Sequence, residues 1–189
     1  MGGGSKSKPA TGSKPFSFKE RLCDLLTFSR IVIGVVVLSL GFIGKDAYLA
    51  VVILVIIGSI TDMFDGRLSR HYLGENREGK LGKYDLQIDT FFIFCTLAYF
   101  SLSGIVIPMV VGLGWIALAL IVILACKMNP KVLLSFEIPS ILALITIAGL
   151  YDLKIFAFVV LPAICIGVII EHKRIRYLLF DYFPKVFSK

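Results

Sequence analysis

Charged residues are scarce in this chain, and cysteine and histidine are scarcer still. Of its 189 residues, 17% are charged and 57% are hydrophobic, whereas a soluble domain has about a quarter charged and about half apolar residues. The four cysteines form no C-x-x-C pair, and there are only two histidines, so neither a disulfide framework nor a zinc site is predicted. The shortage of charge predicts a protein whose apolar surface faces lipid as well as a core.

The amino-terminal stretch lacks apolar residues. Residues 1–15 are rich in Gly, Ser, Lys and Pro and are predicted to form a disordered tail without the apolar core of a signal peptide. Residues 16–25, FSFKERLCDL, are typical of an amphipathic helix at the membrane interface. We therefore expect a tail over 1–15 and one membrane domain over 16–189, which ends in a basic, aromatic interfacial segment.

Long apolar runs fill most of the remaining chain. A helix that crosses a membrane needs about 20 mostly apolar residues. Six segments approach this length, and they predict an all-α protein with six transmembrane helices: Leu26–Ile43, Ala47–Phe64, Leu86–Ser103, Ile105–Cys126, Leu133–Leu150 and Ile155–Ile170.

Lys and Arg are concentrated on alternate connections between these segments. The connections that would lie outside the cell hold only Lys45 and Lys154, each near an acidic residue. By the positive-inside rule both termini are expected in the cytoplasm. Aromatic residues near span ends are expected in the interfacial belt, namely Tyr48, Tyr99 and Tyr151.

Four aspartates lie at the cytoplasmic ends of two consecutive spans. Asp62 and Asp65 are three residues apart at the end of the second span, and Asp85 and Asp89 are four apart at the start of the third. Each spacing places a pair on one helix face. The polar connection over 71–84 is short enough to make the helices antiparallel neighbours, so the four carboxylates are expected to converge.

Converging carboxylates at membrane depth indicate a function. Four adjacent anions cannot all stay ionised without cations, and hard divalent cations prefer carboxylate oxygen. Gly66 permits close approach of a bulky group, and the guanidinium of Arg70 suits phosphate oxygens. Together these residues predict a two-metal site for the diphosphate of an activated lipid.

The pattern Asp62-x-x-Asp65-Gly66-x-x-Ser69-Arg70, followed by Gly82 and Asp85-x-x-x-Asp89, resembles the signature of the CDP-alcohol phosphotransferases, D-x2-D-G-x2-A-R followed by G-x3-D-x3-D. Ser69 replaces Ala, the gap before Asp85 is one or two residues longer, and Gly82 is one residue too close to Asp85. Asp24-x-x-Thr27-x-x-Arg30 is also similar to the N-x-x-T-x-x-R opening of that family, with Asp in place of Asn.

The resemblance implies a phosphotransferase for substituted phosphate groups. A CDP-linked lipid of the CDP-diacylglycerol type would give its phosphatidyl group to a small alcohol, release CMP and so serve phospholipid biosynthesis. Two Mg²⁺ or Mn²⁺ ions would bind at Asp62, Asp65, Asp85 and Asp89, and Asp89 would also act as the general base. The residues implied to receive the CDP group are Asp62, Gly66, Ser69 and Arg70.

The identity of the acceptor stays open at this point. Thr27 to Arg30 and the basic segment at Lys131 favour a phosphorylated alcohol such as glycerol-3-phosphate or inositol phosphate, while inositol and serine stay possible. Candidate ligands for an acceptor phosphate are Arg30, Lys127, Lys131 and Arg174. Glu137, inside the fifth span, is either an interface acid near Lys131 or a contact to the acceptor. The resemblance also implies a homodimer, and the donor lipid could be an ester or an ether.

Two other classes of protein also use carboxylates in membranes. An intramembrane prenyltransferase binds a prenyl diphosphate through paired aspartate motifs, but these usually lie in separate halves of a longer chain. A divalent-cation carrier would explain the aspartates but not Gly66 and Arg70, and the chain shows no internal repeat of the kind common in transporters.

Overall fold

The computed structural model describes residues 18–73 and 84–177, and the side chains of residues 25–64 and 84–170. Within these ranges the regular structure is entirely helical. The α-helices are α1 (Phe18–Leu40), α2 (Tyr48–Leu73), α3 (Asp85–Leu102), α4 (Met109–Ala125), α5 (Pro130–Tyr151), α6 (Leu153–Ile155) and α7 (Leu161–Tyr177). A 3-10 helix, Gly44–Ala47, precedes α2, and a π-helix, Phe156–Val160, joins α6 to α7.

Four helical stretches of the described chain are long and apolar enough to cross a membrane. They are Gly44–Phe64, Asp85–Leu102, Pro130–Tyr151 and Leu153–Ile170. Each overlaps a predicted span and differs from it by no more than a few residues at either end. Large apolar side chains such as Val110, Phe158 and Ile169 are exposed on the outer surface, as expected for helices that face lipid. The chain is an all-α membrane protein.

The other two predicted spans correspond to shorter apolar helices, Leu25–Leu40 and Met109–Ala125. The predicted start of the fourth span at Ile105 was wrong, because α4 begins at Met109. Gly104 and Val106 have φ values of 61° and 63°, and Pro108 disfavours helical backbone at the residue before it. The residues around Ile105 therefore form a turn instead of the first turn of α4.

The structure does not separate an interfacial helix over 16–25 from the first span. Helix α1 is continuous from Phe18 to Leu40, so the described part of the amphipathic segment and the first span form one helix. The predicted tail, residues 1–15, and the end of the basic segment, residues 178–189, lie outside the described residues.

Helix α3 lies at the centre of the bundle. It packs against α1, α4 and α5, and α1 also packs against α2. Most of its side chains from Ile88 to Ser101 are buried, including Leu97, Tyr99 and Phe100, which share a core with Val37 and Val51 from the neighbouring helices. Because α3 is central, side chains in its first turn can meet side chains from the helices around it.

Two of the three tyrosines expected in an interfacial belt are buried instead. Tyr99 is fully buried, and its hydroxyl donates to the carbonyl oxygen of Gly44 at 3.1 Å. Tyr48 is also buried, with its ring packed edge-on against Tyr151 and Phe100. A buried tyrosine hydroxyl finds its hydrogen-bond partner within the protein. These tyrosines therefore join helix ends to one another.

Candidate active site

Arg30 on α1 lies at the centre of three of the four predicted aspartates. Its Nη1 atom donates to Asp62 Oδ1 at 2.8 Å and also to Asp89 Oδ1, and its Nη2 atom donates to Asp85 Oδ1. These ion pairs join three helices, because Asp62 belongs to α2 and Asp85 and Asp89 belong to the first turns of α3. One guanidinium therefore joins the middle parts of α1 and α2 to the first turns of α3.

The guanidinium is buried, but the carboxylates around it are partly open. The Arg30 side chain is 1% exposed, whereas those of Asp62, Asp85 and Asp89 are 44%, 43% and 24% exposed. Arg30 thus forms the floor of an anionic site whose rim is accessible from the end of the bundle. Asp89 lies one turn further along α3 than Asp85 and is the least accessible of the three.

Small residues one turn deeper allow the three helices to approach closely. Gly34 follows Arg30 by four residues, and a Cβ atom at this position would lie 3.3 Å from the ring of Phe91. Gly58 precedes Asp62 by four residues, and a Cβ atom there would lie 2.6 Å from the ring of Phe92. Packing of this kind is typical of membrane helices, and it sets the distance between the backbones that carry the charged residues.

Comparison with family models identifies the chain. The model for CDP-alcohol phosphatidyltransferases matches residues 21–170, which is most of the sequence. The chain belongs to the CDP-alcohol phosphatidyltransferase family. Comparisons with curated proteins and with solved structures gave no significant match. As a member of this family, the protein is a transferase that acts in a membrane on a CDP-alcohol and an alcohol acceptor, and the family uses divalent metal ions.

The donor atoms of this CDP-alcohol phosphatidyltransferase fit a divalent metal ion. One carboxylate oxygen from each of Asp62, Asp85 and Asp89 lies within 4.8 Å of the others. Carboxylate oxygens are the ligands that Mg²⁺ and Mn²⁺ prefer in proteins. The partial exposure of Asp62 and Asp85 leaves access to these atoms from outside. These three residues would hold a metal ion.

The predicted metal ligand Asp65 and three predicted CDP-binding residues follow Asp62 on the same helix. Because α2 continues without a break to Leu73, its backbone places them in one helical register, with positions three or four residues apart on a common face: Asp65, Gly66, Ser69 and Arg70. Their side chains and the whole of Gly82 lie outside the described part of the chain, so their roles stay predictions.

The basic residues predicted for the acceptor do not share one environment. Arg30 is enclosed by aspartates, whereas Lys127 and Lys131 are exposed around the connection between α4 and α5. Arg174 lies on the described backbone of α7, and its side chain is outside the described residues. Binding of the acceptor by any of these four residues stays a prediction.

Sequence reasoning assigned Arg30 to the acceptor and missed its pairing with the aspartates. The signal was nevertheless present, because an arginine inside an apolar helix needs a counter-ion. Which carboxylate would meet it was not evident, since Arg30 is 32 residues from Asp62 and 59 from Asp89. Only the packing of α1 between α2 and α3 brings these residues into contact.

Proposed function

We propose that this protein transfers a phosphatidyl group from a CDP-linked lipid to a small alcohol and releases CMP. The observation that carries the proposal is the convergence of Asp62, Asp85 and Asp89 around Arg30 in a chain that belongs to the CDP-alcohol phosphatidyltransferase family. The donor is of the CDP-diacylglycerol type, and the reaction belongs to phospholipid biosynthesis.

The reaction is a displacement at the lipid-side phosphorus of the diphosphate. The acceptor oxygen forms a bond to this phosphorus, the bond from phosphorus to the bridging oxygen breaks, and CMP leaves with that oxygen. The hydroxyl proton of the acceptor passes to a carboxylate oxygen of Asp89, which is the general base. A base must lie within hydrogen-bond reach of the proton that it accepts, and the deeper position of Asp89 on α3 suits an acceptor that enters beyond Asp85.

The remaining residues of the site bind and orient. Asp62, Asp65, Asp85 and Asp89 hold two divalent ions, Mg²⁺ or Mn²⁺, which when bound neutralise negative charge on the phosphoryl oxygens. Arg70 and Ser69 bind the diphosphate, and Gly66 leaves room for the CDP group. The buried guanidinium of Arg30 keeps the carboxylates of α2 and α3 in one place.

The proposed topology has six transmembrane helices with the site on the cytoplasmic side. The four apolar stretches that are long enough to cross support it, together with the two shorter helices at the positions of the other predicted spans. The Lys and Arg residues on alternate connections favour an arrangement with both termini in the cytoplasm. We also propose that the protein is a homodimer, as the family resemblance implies.

Release of CMP tests this function directly. Purified protein in detergent, with Mg²⁺ or Mn²⁺ and CDP-diacylglycerol, should release CMP when a suitable alcohol is added from a panel of glycerol-3-phosphate, inositol phosphate, inositol and serine. EDTA should abolish the release. Absence of CMP with every acceptor would remove the main support for the proposal, and uptake of metal ions into liposomes would favour a carrier instead.

An isosteric change at the base separates chemistry from binding. Asp89→Asn should lower the rate of CMP release by at least about 100-fold, the low end of the effect of a general base, while the variant still binds the CDP-lipid. Asp46→Asn is the matched control, because Asp46 is an exposed carboxylate in the 3-10 helix that precedes α2. An active Asp89→Asn variant would show that Asp89 is not the base.

A further inference from the structure

The guanidinium of Arg30 lies between the candidate metal ligands. Its Nη1 atom bonds to Asp62 Oδ1 at 2.8 Å and also to Asp89 Oδ1, so this nitrogen lies between two of the three carboxylates. Its Nη2 atom bonds to Asp85 Oδ1, which belongs to the third. The same three residues each offer one oxygen to a metal ion, and these oxygens lie within 4.8 Å of one another. The guanidinium and a divalent ion therefore depend on the same carboxylates.

A divalent ion cannot enter this site without an effect on Arg30. Mg²⁺ needs its oxygen ligands at about 2.0–2.1 Å, and Nη1 fills the gap between the Oδ1 atoms of Asp62 and Asp89. An ion in that gap displaces the guanidinium from both oxygens. An ion bound to the second oxygens of the same carboxylates lies close to a positive charge that repels it. In both arrangements Arg30 weakens the binding of the ion.

The guanidinium has no route into water on the inner side of the site. The Arg30 side chain is 1% exposed. One turn deeper, a Cβ atom at Gly34 would lie 3.3 Å from the Phe91 ring and 3.7 Å from Cys95 Cβ, so the helices are in close contact there. A buried arginine that loses its counter-ions is costly. The positive charge of Arg30 therefore stays at the site when an ion binds, and the loaded site needs a further anion.

The charges at the site indicate which anion this is. Arg30 and the three described aspartates together carry a net charge of about −2, which one divalent ion neutralises. The proposed function requires a second ion, and even with Asp65 as a fourth carboxylate the site then has an excess of positive charge. The diphosphate of the CDP-lipid brings negative charge to this place. Donor lipid and divalent ions should therefore favour the binding of each other.

We propose that Arg30 weakens metal binding in the free protein, so that divalent ions bind tightly only together with the diphosphate of the CDP-lipid. This inference rests on the proposed function and adds cooperative binding of ions and donor to it. Arg30 is a positioning residue in this arrangement, because it acts on the reaction through the aspartates. It holds the carboxylates of α2 and α3 together until the donor arrives with the ions.

Binding of Mn²⁺ to the purified protein in detergent tests the proposal without turnover. The EPR signal of free Mn²⁺ falls as the ion binds, which gives a Kd with and without CDP-diacylglycerol once the ions bound by protein-free lipid micelles are subtracted. In the wild type the Kd should be at least about tenfold lower with the lipid, within the range of about 5–150-fold usual for coupled sites. An equal Kd would overturn the proposal, and release of CMP by the same preparation would show that the proposed function nevertheless stands.

Two variants test whether the charge of Arg30 is responsible. Arg30→Gln removes the charge but keeps a donor, and without lipid it should bind Mn²⁺ at least about tenfold more tightly than the wild type. Arg30→Lys keeps the charge and should stay closer to the wild type, while Lys45→Ala should not change the Kd. A residue that merely orients metal ligands weakens metal binding when it is removed. Unchanged or weaker binding in Arg30→Gln would therefore overturn the proposal.

A measurement on the wild type does not depend on the folding of a variant. In protein with isotopically labelled arginine, the guanidinium of Arg30 should give NMR signals that exchange slowly with water, because it is buried and bonded to three carboxylates. Saturating Mg²⁺ should shift these signals, since either arrangement of the ion changes the bonds from the guanidinium to the aspartates. Signals that stay in place while Mg²⁺ binds would show that Arg30 and the ion act independently, and the proposal would fail.

Discussion

Removal of the Arg30 side chain should destabilise the metal-free protein more than removal of any other cationic side chain that the structure describes. In Arg30→Ala, the carboxylate oxygens of Asp62, Asp85 and Asp89 would stay within 4.8 Å of one another without the guanidinium between them. Removal of one partner from a buried ion pair costs about 3–5 kcal/mol.

The partial exposure of the carboxylates reduces this cost. Asp62 and Asp85 are 44% and 43% exposed, and only Asp89, at 24%, approaches a buried group. We therefore expect about 3 kcal/mol, the low end of the range for buried pairs. At about 2–4 °C per kcal/mol for a chain of this length, the midpoint of thermal unfolding should fall by about 6–12 °C in EDTA.

Divalent ions should restore much of this loss. An ion at 100 times its Kd stabilises the folded state by about 2.7 kcal/mol, and in Arg30→Ala it would replace the missing positive charge. The rise in the unfolding midpoint on addition of Mn²⁺ should thus be larger in Arg30→Ala than in the wild type. Arg30→Lys should be intermediate, because an ammonium group lacks the planar fork of donors.

Thermal unfolding of the purified proteins in detergent, with EDTA and then with Mn²⁺, measures both effects. Lys45→Ala is the control, since Lys45 is an exposed cation in the 3-10 helix before α2. Wild-type stability of Arg30→Ala in EDTA would refute the role of Arg30 as the counter-ion. An equal metal response in the two proteins would show that Arg30 and the metal ion do not share these carboxylates.

Two further predictions concern the helices that position the site. Gly58→Ala should destabilise the protein by about 1–3 kcal/mol through overpacking against Phe92. Gly114→Ala is the control, because a Cβ atom there would meet nothing within 4 Å, and it should be neutral or stabilising by up to about 1 kcal/mol. Equal unfolding midpoints of the two variants would show that α2 and α3 are not in tight contact. Asn129→Ala should lower the free energy of unfolding by about 1 kcal/mol, because the Asn129 side chain accepts a hydrogen bond from the Lys131 backbone N–H at 3.0 Å and caps α5. Asn129→Asp keeps the acceptor oxygen, and a loss as large as that of alanine would argue against the cap.

The positions of the helices followed from the sequence with little error. Apolar runs near 20 residues long can satisfy their backbone hydrogen bonds in lipid only as helices, so length and composition were sufficient for the apolar parts of α2, α3 and α5. Helix α2 continues nine residues beyond the predicted end at Phe64, to Leu73. Errors occurred where local backbone chemistry overrides composition. The turn before Pro108 delays α4, and the early residues of α1 continue the helix where a separate interfacial segment was expected.

The sequence by itself determined that this is an all-α membrane protein and that two acidic pairs lie where one apolar span ends and the next begins, because hydropathy and helix periodicity are local properties. The described tertiary structure decided which groups meet across helices. It placed Arg30 among Asp62, Asp85 and Asp89. These contacts join residues far apart in the chain, and they depend on how closely the helices pack at glycines such as Gly58, which no local pattern reveals.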